Sequence, residues 1–176
     1  ENVKGSRAAF QWDPGIYTVL STNHALFGAI YLGMARAARD FAIEYTKHRT
    51  RKPFTSPASH YPKNQFLAGE MDILLHVAWT AQYQMAKHIT NITNINNQTF
   101  IDGTCVQYFC VNTAVDIVNK AMDMLGGAAL SKHLPLERYY RDVRAGPIHP
   151  IGGSEALELI GKHAFGIPRD TMPRWI

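Results

Sequence analysis

The sequence predicts an all-α fold, an antiparallel up-down helical bundle, and three observations predict it. Apolar residues recur at helical spacing along three long stretches, compact polar or proline-containing segments separate them, and period-two patterns bounded by hairpin turns are absent. With 176 residues, 46% hydrophobic and 18% charged, the chain has the length and composition of one globular domain with a true core.

Residues 1–17 read as an irregular segment, with Asp13-Pro14-Gly15 a turn; the bundle is expected over 18–167 and a tail over 168–176. A first helix is expected from Thr18 to His48, with Leu26, Ile30, Met34, Ala37, Ala38, Phe41 and Tyr45 on its apolar face. Ala29, Gly33, Ala35 and Ala42 add a second face of small residues, so this helix is expected to be covered on more than one side and the domain to associate. Residues 49–62 hold Pro53, Pro57 and Pro62 and read as a loop.

A second helix is expected from Lys63 to Ile89, with Leu67, Met71, Leu74, Leu75, Ala78, Tyr83 and Met85. The polar stretch from Asn91 to Asp102 reads as a connector, because short amide side chains favour turns. A third helix, from Thr104 to Leu125, carries Val106, Phe109, Cys110, Val115, Ile117, Val118 and Met122 and stops at Gly126-Gly127. Short helices are expected from Pro135 to Asp142 and from Ser154 to Ala164, the latter with Glu155 and Glu158 complementing its N-terminal dipole.

The net charge of +4 is modest, and basic residues cluster only at Lys47 to Lys52, KHRTRK. That cluster reads either as cations at a helix end or as a clamp for phosphate. No Arg-rich arm, zinc-finger spacing or RNA-binding aromatic motif points to nucleic acid. No apolar run reaches the roughly twenty residues that span a bilayer, and no signal-peptide pattern opens the chain, so neither a membrane partner nor export is expected. Cys105 and Cys110 lie five apart in one apolar run, which suits buried free thiols in a reducing cytoplasm. The histidines other than His149 are dispersed without a metal-ligand pair at helical spacing, and no metal site is expected.

The segment from Ala121 to Ile160, AMDMLGGAALSKHLPLERYYRDVRAGPIHPIGGSEALELI, is the most informative. An apolar run stops at Gly126-Gly127, a charged Leu-Glu-Arg-Tyr-Tyr-Arg-Asp patch follows, and Gly152-Gly153 opens another amphipathic stretch. Paired glycines at helix ends let backbone N–H groups approach an anion closely, which points to a phosphate-bearing cofactor. In order and spacing the segment resembles the C-terminal helical domain of the acyl-CoA dehydrogenase superfamily of flavoproteins, with its Gly-Gly helix end, its Pro-x-Glu-Arg-x-x-Arg-Asp run and a flavin-facing loop.

The resemblance extends over about 18–167. The run YTKHRTRKPFTSPASHYPKNQFLAGEMDILL is similar to the family's Tyr-x-x-x-Arg-x-x-Phe-Gly stretch, with Arg51 and Phe54 on the family's Arg and Phe. The resemblance implies that Arg51 and Phe54 contact the FAD of a neighbouring subunit and that Gly126 and Gly127 face FAD, and a guanidinium suits phosphate oxygens through its forked, permanently charged donors. It implies further a homo-oligomer, dimer or tetramer, an acyl-CoA substrate, a place in fatty acid metabolism, and N-terminal helical and middle β-domains of the same protein that complete the pocket. Without those domains the chain is expected to be inactive.

Departures from the pattern bear on chemistry. Thr55 stands for the family's Gly, Pro62 for its Gln, and Asp123 for the Gln before the glycine pair. The base that removes the acyl α-proton is a Glu in the family, but its two usual positions carry Pro150 and Ala25 here, and Glu155 and Glu158 lie downstream. The Arg-Asp-x-Arg-Ala-Gly-x-x-His-Pro run is similar to the flavin monooxygenase branch, which has a His in this loop. That likeness implies that the His149 imidazole steadies or protonates the peroxyflavin, against a second reading of His149 as a loop anchor. Three functions therefore stand: acyl-CoA dehydrogenase, flavin-dependent monooxygenase, or a non-catalytic oligomerisation module. Asp142 is read as an ion-pair partner of a neighbouring Arg.

Overall fold

The computed structural model describes residues 14–50, 52–93 and 95–169. Among them, helices α1 (Pro14–His48), α2 (Pro62–Asn91) and α3 (Asn97–Leu125) form the body of an all-α bundle, and α4 (Leu136–Val143) and α5 (Gly153–Ala164) close it. Short 3-10 turns sit at Ala58–His60, Gly126–Leu130 and Gly146–Ile148. Among the described residues no strand forms, although Thr50 and Pro57 make one antiparallel bridge. No helix of the described chain is long and apolar enough to cross a membrane.

Helix α3 is the centre of the bundle. It packs on every other long helix, and its buried face runs from Phe100 through Cys110, Val111, Ala114, Ile117 and Val118 to Ala121 and Met124. Opposite it, α1 buries Tyr31, Ala35, Ala38 and Ala42 in the same core. Small side chains on that seam let the two backbones approach closely along the length of the contact.

The buried face of α1 differs from the expected one. Leu26 and Ile30 are 57% and 52% exposed, whereas Ser21, His24, Leu32 and Thr46 are buried. Periodicity located the helix but set its inner face one residue off, because a core of alanines and buried polar groups carries little hydropathy contrast. Tyr83 and Phe109 likewise face outward rather than into the core. Helix α1 also begins earlier than expected, at Pro14.

The connector expected from Asn91 to Asp102 shrinks to the few residues before Asn97. The Asn96 carboxamide accepts a hydrogen bond from the Thr99 backbone N–H at 3.1 Å, so an amide that favours turns acts as the cap that starts α3. Gly126 ends α3 as expected, with φ of 61°. Both cysteines are free thiols; Cys110 is buried, and burial pushes it up to about 12, whereas Cys105 is exposed.

Candidate functional site

The ends of α1 and α3 lie side by side, and one contact sets their register. Thr46 donates to the carbonyls of Ala42 and Ile43 within α1, and its hydroxyl also lies 3.8 Å from the Met124 sulfur in the last turn of α3. Beyond that contact a cleft of about 370 Å³ opens, lined by Tyr45, Arg49, Lys63, Asn64, Asp123 and the Gly126-Gly127-Ala128 backbone, among others. It brings together two cations and the glycine pair from three chain segments.

The glycines suit a ligand. A Cβ on Gly126 or Gly127 would meet nothing of the chain within 4 Å, so the space beside both backbones is open. Only Gly126, at φ of 61°, requires glycine for conformational reasons. Asn64 is fixed rather than free: its side-chain N–H₂ donates to the Ala58 carbonyl at 2.8 Å, which ties the start of α2 to the preceding loop.

Arg49 is the cleft residue that sequence reasoning did not single out. The Tyr-x-x-x-Arg half of the family pattern falls on Tyr45 and Arg49, while the Arg-x-x-Phe half falls on Arg51 and Phe54. The spacing of the first half carried the signal for Arg49. Arg51 lies outside the described residues. Phe54 is 58% exposed and packs edge-on against Tyr61, with ring centroids 5.4 Å apart, and it does not line the cleft itself.

The basic run resolves into two environments. Lys47 and His48 both reach Glu44, at 3.0 and 2.7 Å, and these neighbours hold its carboxyl below the usual carboxylate range. Arg49 instead donates to the Tyr45 hydroxyl and lies over the Tyr45 ring.

Away from this cleft, against the middle of α1, His149 is half-buried in the loop between α4 and α5. Its ring stacks on Phe27 of α1, with centroids 4.3 Å apart and planes 13° from parallel, and lies 5.7 Å from the ring of Tyr31. Gly146 packs directly on Tyr31 and Val111, which pins the loop to the core. Pro150 follows His149, and Ala25 sits on α1 with its carbonyl accepting from Gln82. Neither offers a base. Glu158 is engaged with Lys162 at 2.6 Å, and Glu155 is exposed. Asp142 pairs with Arg138 at 3.5 Å and Arg141 at 3.8 Å, a ladder on the open face of α4.

Comparison with known proteins places this arrangement in a group. Residues 25–152 match the model of the acyl-CoA dehydrogenase C-terminal domain. YdbM of Bacillus subtilis, which bears an acyl-CoA dehydrogenase name, is 32% identical over 137 residues, covering 78% of this chain and 36% of its own length. The mitochondrial short-chain specific acyl-CoA dehydrogenase of Bos taurus is 30% identical over 130 residues, covering 73% of this chain and 30% of its own length. The structure of butyryl-CoA dehydrogenase from Megasphaera elsdenii superimposes with a TM-score of 0.75 at 22% identity, over 86% of this chain and 38% of that one, which is a likeness of fold. The chain thus spans about a third of the length of the relatives it matches.

Proposed function

Because the chain belongs to the acyl-CoA dehydrogenase family, as its C-terminal domain, we propose that it supplies the phosphate-contacting end of an FAD site in an oligomeric oxidoreductase acting on acyl-CoA thioesters. The observation that carries this reading is the cleft itself, in which Arg49, Lys63 and the open backbone of Gly126 and Gly127 converge. Two cations and an unobstructed backbone fit a pyrophosphate, because charge-assisted hydrogen bonds to phosphate need donors and close approach together. When bound, FAD would supply a two-electron acceptor, and this chain's residues would bind and orient its phosphates. The remaining two thirds of the relatives' length corresponds to the domains that would complete the acyl pocket.

The length of α1 supports the oligomer reading. Phe27 and the helix end beside Arg49 are separated by more than twenty residues of α1, about 30 Å at ~1.5 Å per residue. A single flavin dinucleotide is shorter than that span. If both places serve a cofactor, they serve different cofactor molecules, as two copies of the chain would hold.

The test is flavin retention by the full-length protein through gel filtration. Arg49→Ala should weaken FAD binding by about 1.5–3 kcal/mol, the worth of a charged hydrogen bond. Arg51→Ala, made beside it, separates the two halves of the sequence pattern. Unchanged flavin content in both variants would sink the reading.

His149 favours a second reading, a flavin-dependent monooxygenase. It is the titratable group of the α4–α5 loop that rests on α1, where the usual carboxylate position holds Pro150. In that case the full-length protein should bleach very slowly with acyl-CoA under anaerobic conditions, since a general base is typically worth about 10²–10⁴-fold. His149→Ala should then lower oxygenated product and raise peroxide release. Fast bleaching by acyl-CoA would eliminate this second reading.

A further inference from the structure

The glycine cleft has a neighbour. A second cleft, of about 530 Å³, opens on the other side of the α1 end and is lined by Phe41, Glu44, Tyr45, His48, Arg49 and Thr50. Tyr45 and Arg49 are the residues common to both clefts, so together they form the wall between them.

That wall is a ladder at helical spacing. Phe41 and Tyr45 lie one turn apart with ring centroids at 6.0 Å and planes 30° from parallel. One turn further, the guanidinium carbon of Arg49 is 5.3 Å from the Tyr45 centroid, and its Nη1 donates to the Tyr45 hydroxyl. Arg49 is the first residue past the end of α1, and its backbone is held there too, since its carbonyl accepts from the Ala58 N–H at 2.7 Å.

The kind of partner matters. Tyr45 takes one N–H and one face of the guanidinium without carrying charge, and among the described residues Arg49 makes no ion pair: Glu44 is engaged by Lys47 and His48, and Asp123, which lines the same glycine cleft, makes none with it. A guanidinium has five donors, so most remain for a ligand. An arginine tethered to a carboxylate would have its charge cancelled, and an untethered one would lose rotamer freedom on binding. An aromatic hydroxyl avoids both costs.

We propose that Tyr45 is a positioning residue that presets the Arg49 guanidinium for an anion in the glycine cleft. This rests on the FAD reading above. Tyr45 touches the ligand's charge only through Arg49.

The experiment is a double-mutant cycle in the full-length protein, read as the FAD dissociation constant by titration calorimetry at low and moderate salt. Arg49→Ala should weaken binding and flatten its salt dependence. Tyr45→Leu should weaken binding about tenfold, with the salt dependence kept because the charge is still present, and Tyr45→Phe by about threefold, since it retains the ring face. In the Arg49→Ala background, Tyr45→Leu should cost nothing further, the mark of a residue that acts through another. An additive loss in the double variant overturns the proposal, as does unchanged affinity in the Tyr45 variants while Arg49→Ala binds weakly. Should Tyr45→Leu fail to fold, Tyr45→Phe alone and with Arg49→Ala gives the same decision. If Arg49→Ala itself leaves FAD affinity unchanged, the proposal is overturned, and Arg51→Ala then decides whether the FAD reading falls with it, which is a distinguishable result.

Discussion

Phe27 and His149, 122 positions apart in sequence, stack nearly face to face with ring centroids at 4.3 Å. The stack fixes the imidazole against α1 and should contribute about 0.5–1.5 kcal/mol beyond area burial. Phe27→Leu should therefore lower the melting temperature slightly and, in proton NMR spectra, move the His149 ring resonances downfield as the shielding by the phenyl face is lost. Unmoved resonances would mean that the loop is held by its backbone alone.

The two glycines of the cleft should separate fold from binding. Gly126, at φ of 61°, should lose about 1–2 kcal/mol of stability on replacement by Ala, because an L side chain is strained in that conformation. Gly127 has open space around its Cβ position and no such strain, so Gly127→Ala should melt like the wild type while placing a methyl group where a phosphate would approach. Comparing thermal melts with FAD titration checks both halves. Equal FAD affinity in Gly127→Ala would show that the ligand does not approach that backbone.

His24 should make stability fall with acid. It is 1% exposed, its Nδ1 lies 3.4 Å from the Thr104 hydroxyl, its Nε2 has no partner among the described residues, and burial pushes it down to about 4 from 6.5. The depressed value means the folded state resists protonation, so the unfolded state binds more protons between pH 6.5 and about 4. Stability is therefore full above that window and declines as pH drops through it, by about 2–3 kcal/mol near the lower edge. Urea unfolding at several pH values should show that slope. His24→Leu, which takes up no proton, should lose it.

Gly28 and Gln82 should couple strongly. A Cβ on Gly28 would collide with the Gln82 carboxamide, whose N–H₂ donates to the Ala25 carbonyl at 2.5 Å. Gly28→Ala should cost about 1–3 kcal/mol, as overpacking does. Adding Gln82→Ala removes the obstacle and should recover part of that loss in a double-mutant cycle. Strictly additive effects would show that the amide swings away freely.

Long-period features were legible in the sequence, and compensating ones were not. The three long helices and the Gly126 stop follow from periodicity and glycine alone. The Asn96 cap did not, since one asparagine serves equally as a turn residue or as the residue that starts a helix, and only its side-chain acceptor at the Thr99 N–H decides. His24 and Gln82, polar yet buried, pulled the expected inner face of α1 and α2 toward Leu26, Ile30 and Tyr83, which are exposed. In the site, Gly126 and Gly127 stood out because glycine has one conformational meaning at a helix end. Arg49 did not, because two arginines in KHRTRK satisfy different halves of one spacing; the turn after α1 puts Arg49 in a cleft with the glycine pair, while Arg51 lies outside the described residues.

The length of α1 has a genetic consequence. A copy carrying Arg49→Ala is impaired at the C-terminal end of the helix and a copy carrying His149→Ala beside its middle, about 30 Å away. If each cofactor lies between the His149 loop of one copy and the Arg49 end of the next, a mixed dimer of these two variants holds one pocket with both lesions and one pocket with neither. In the monooxygenase reading the two impaired variants, co-refolded, should then regain up to half the normal coupled turnover per mixed dimer, which oxygenated product formed per chain would count.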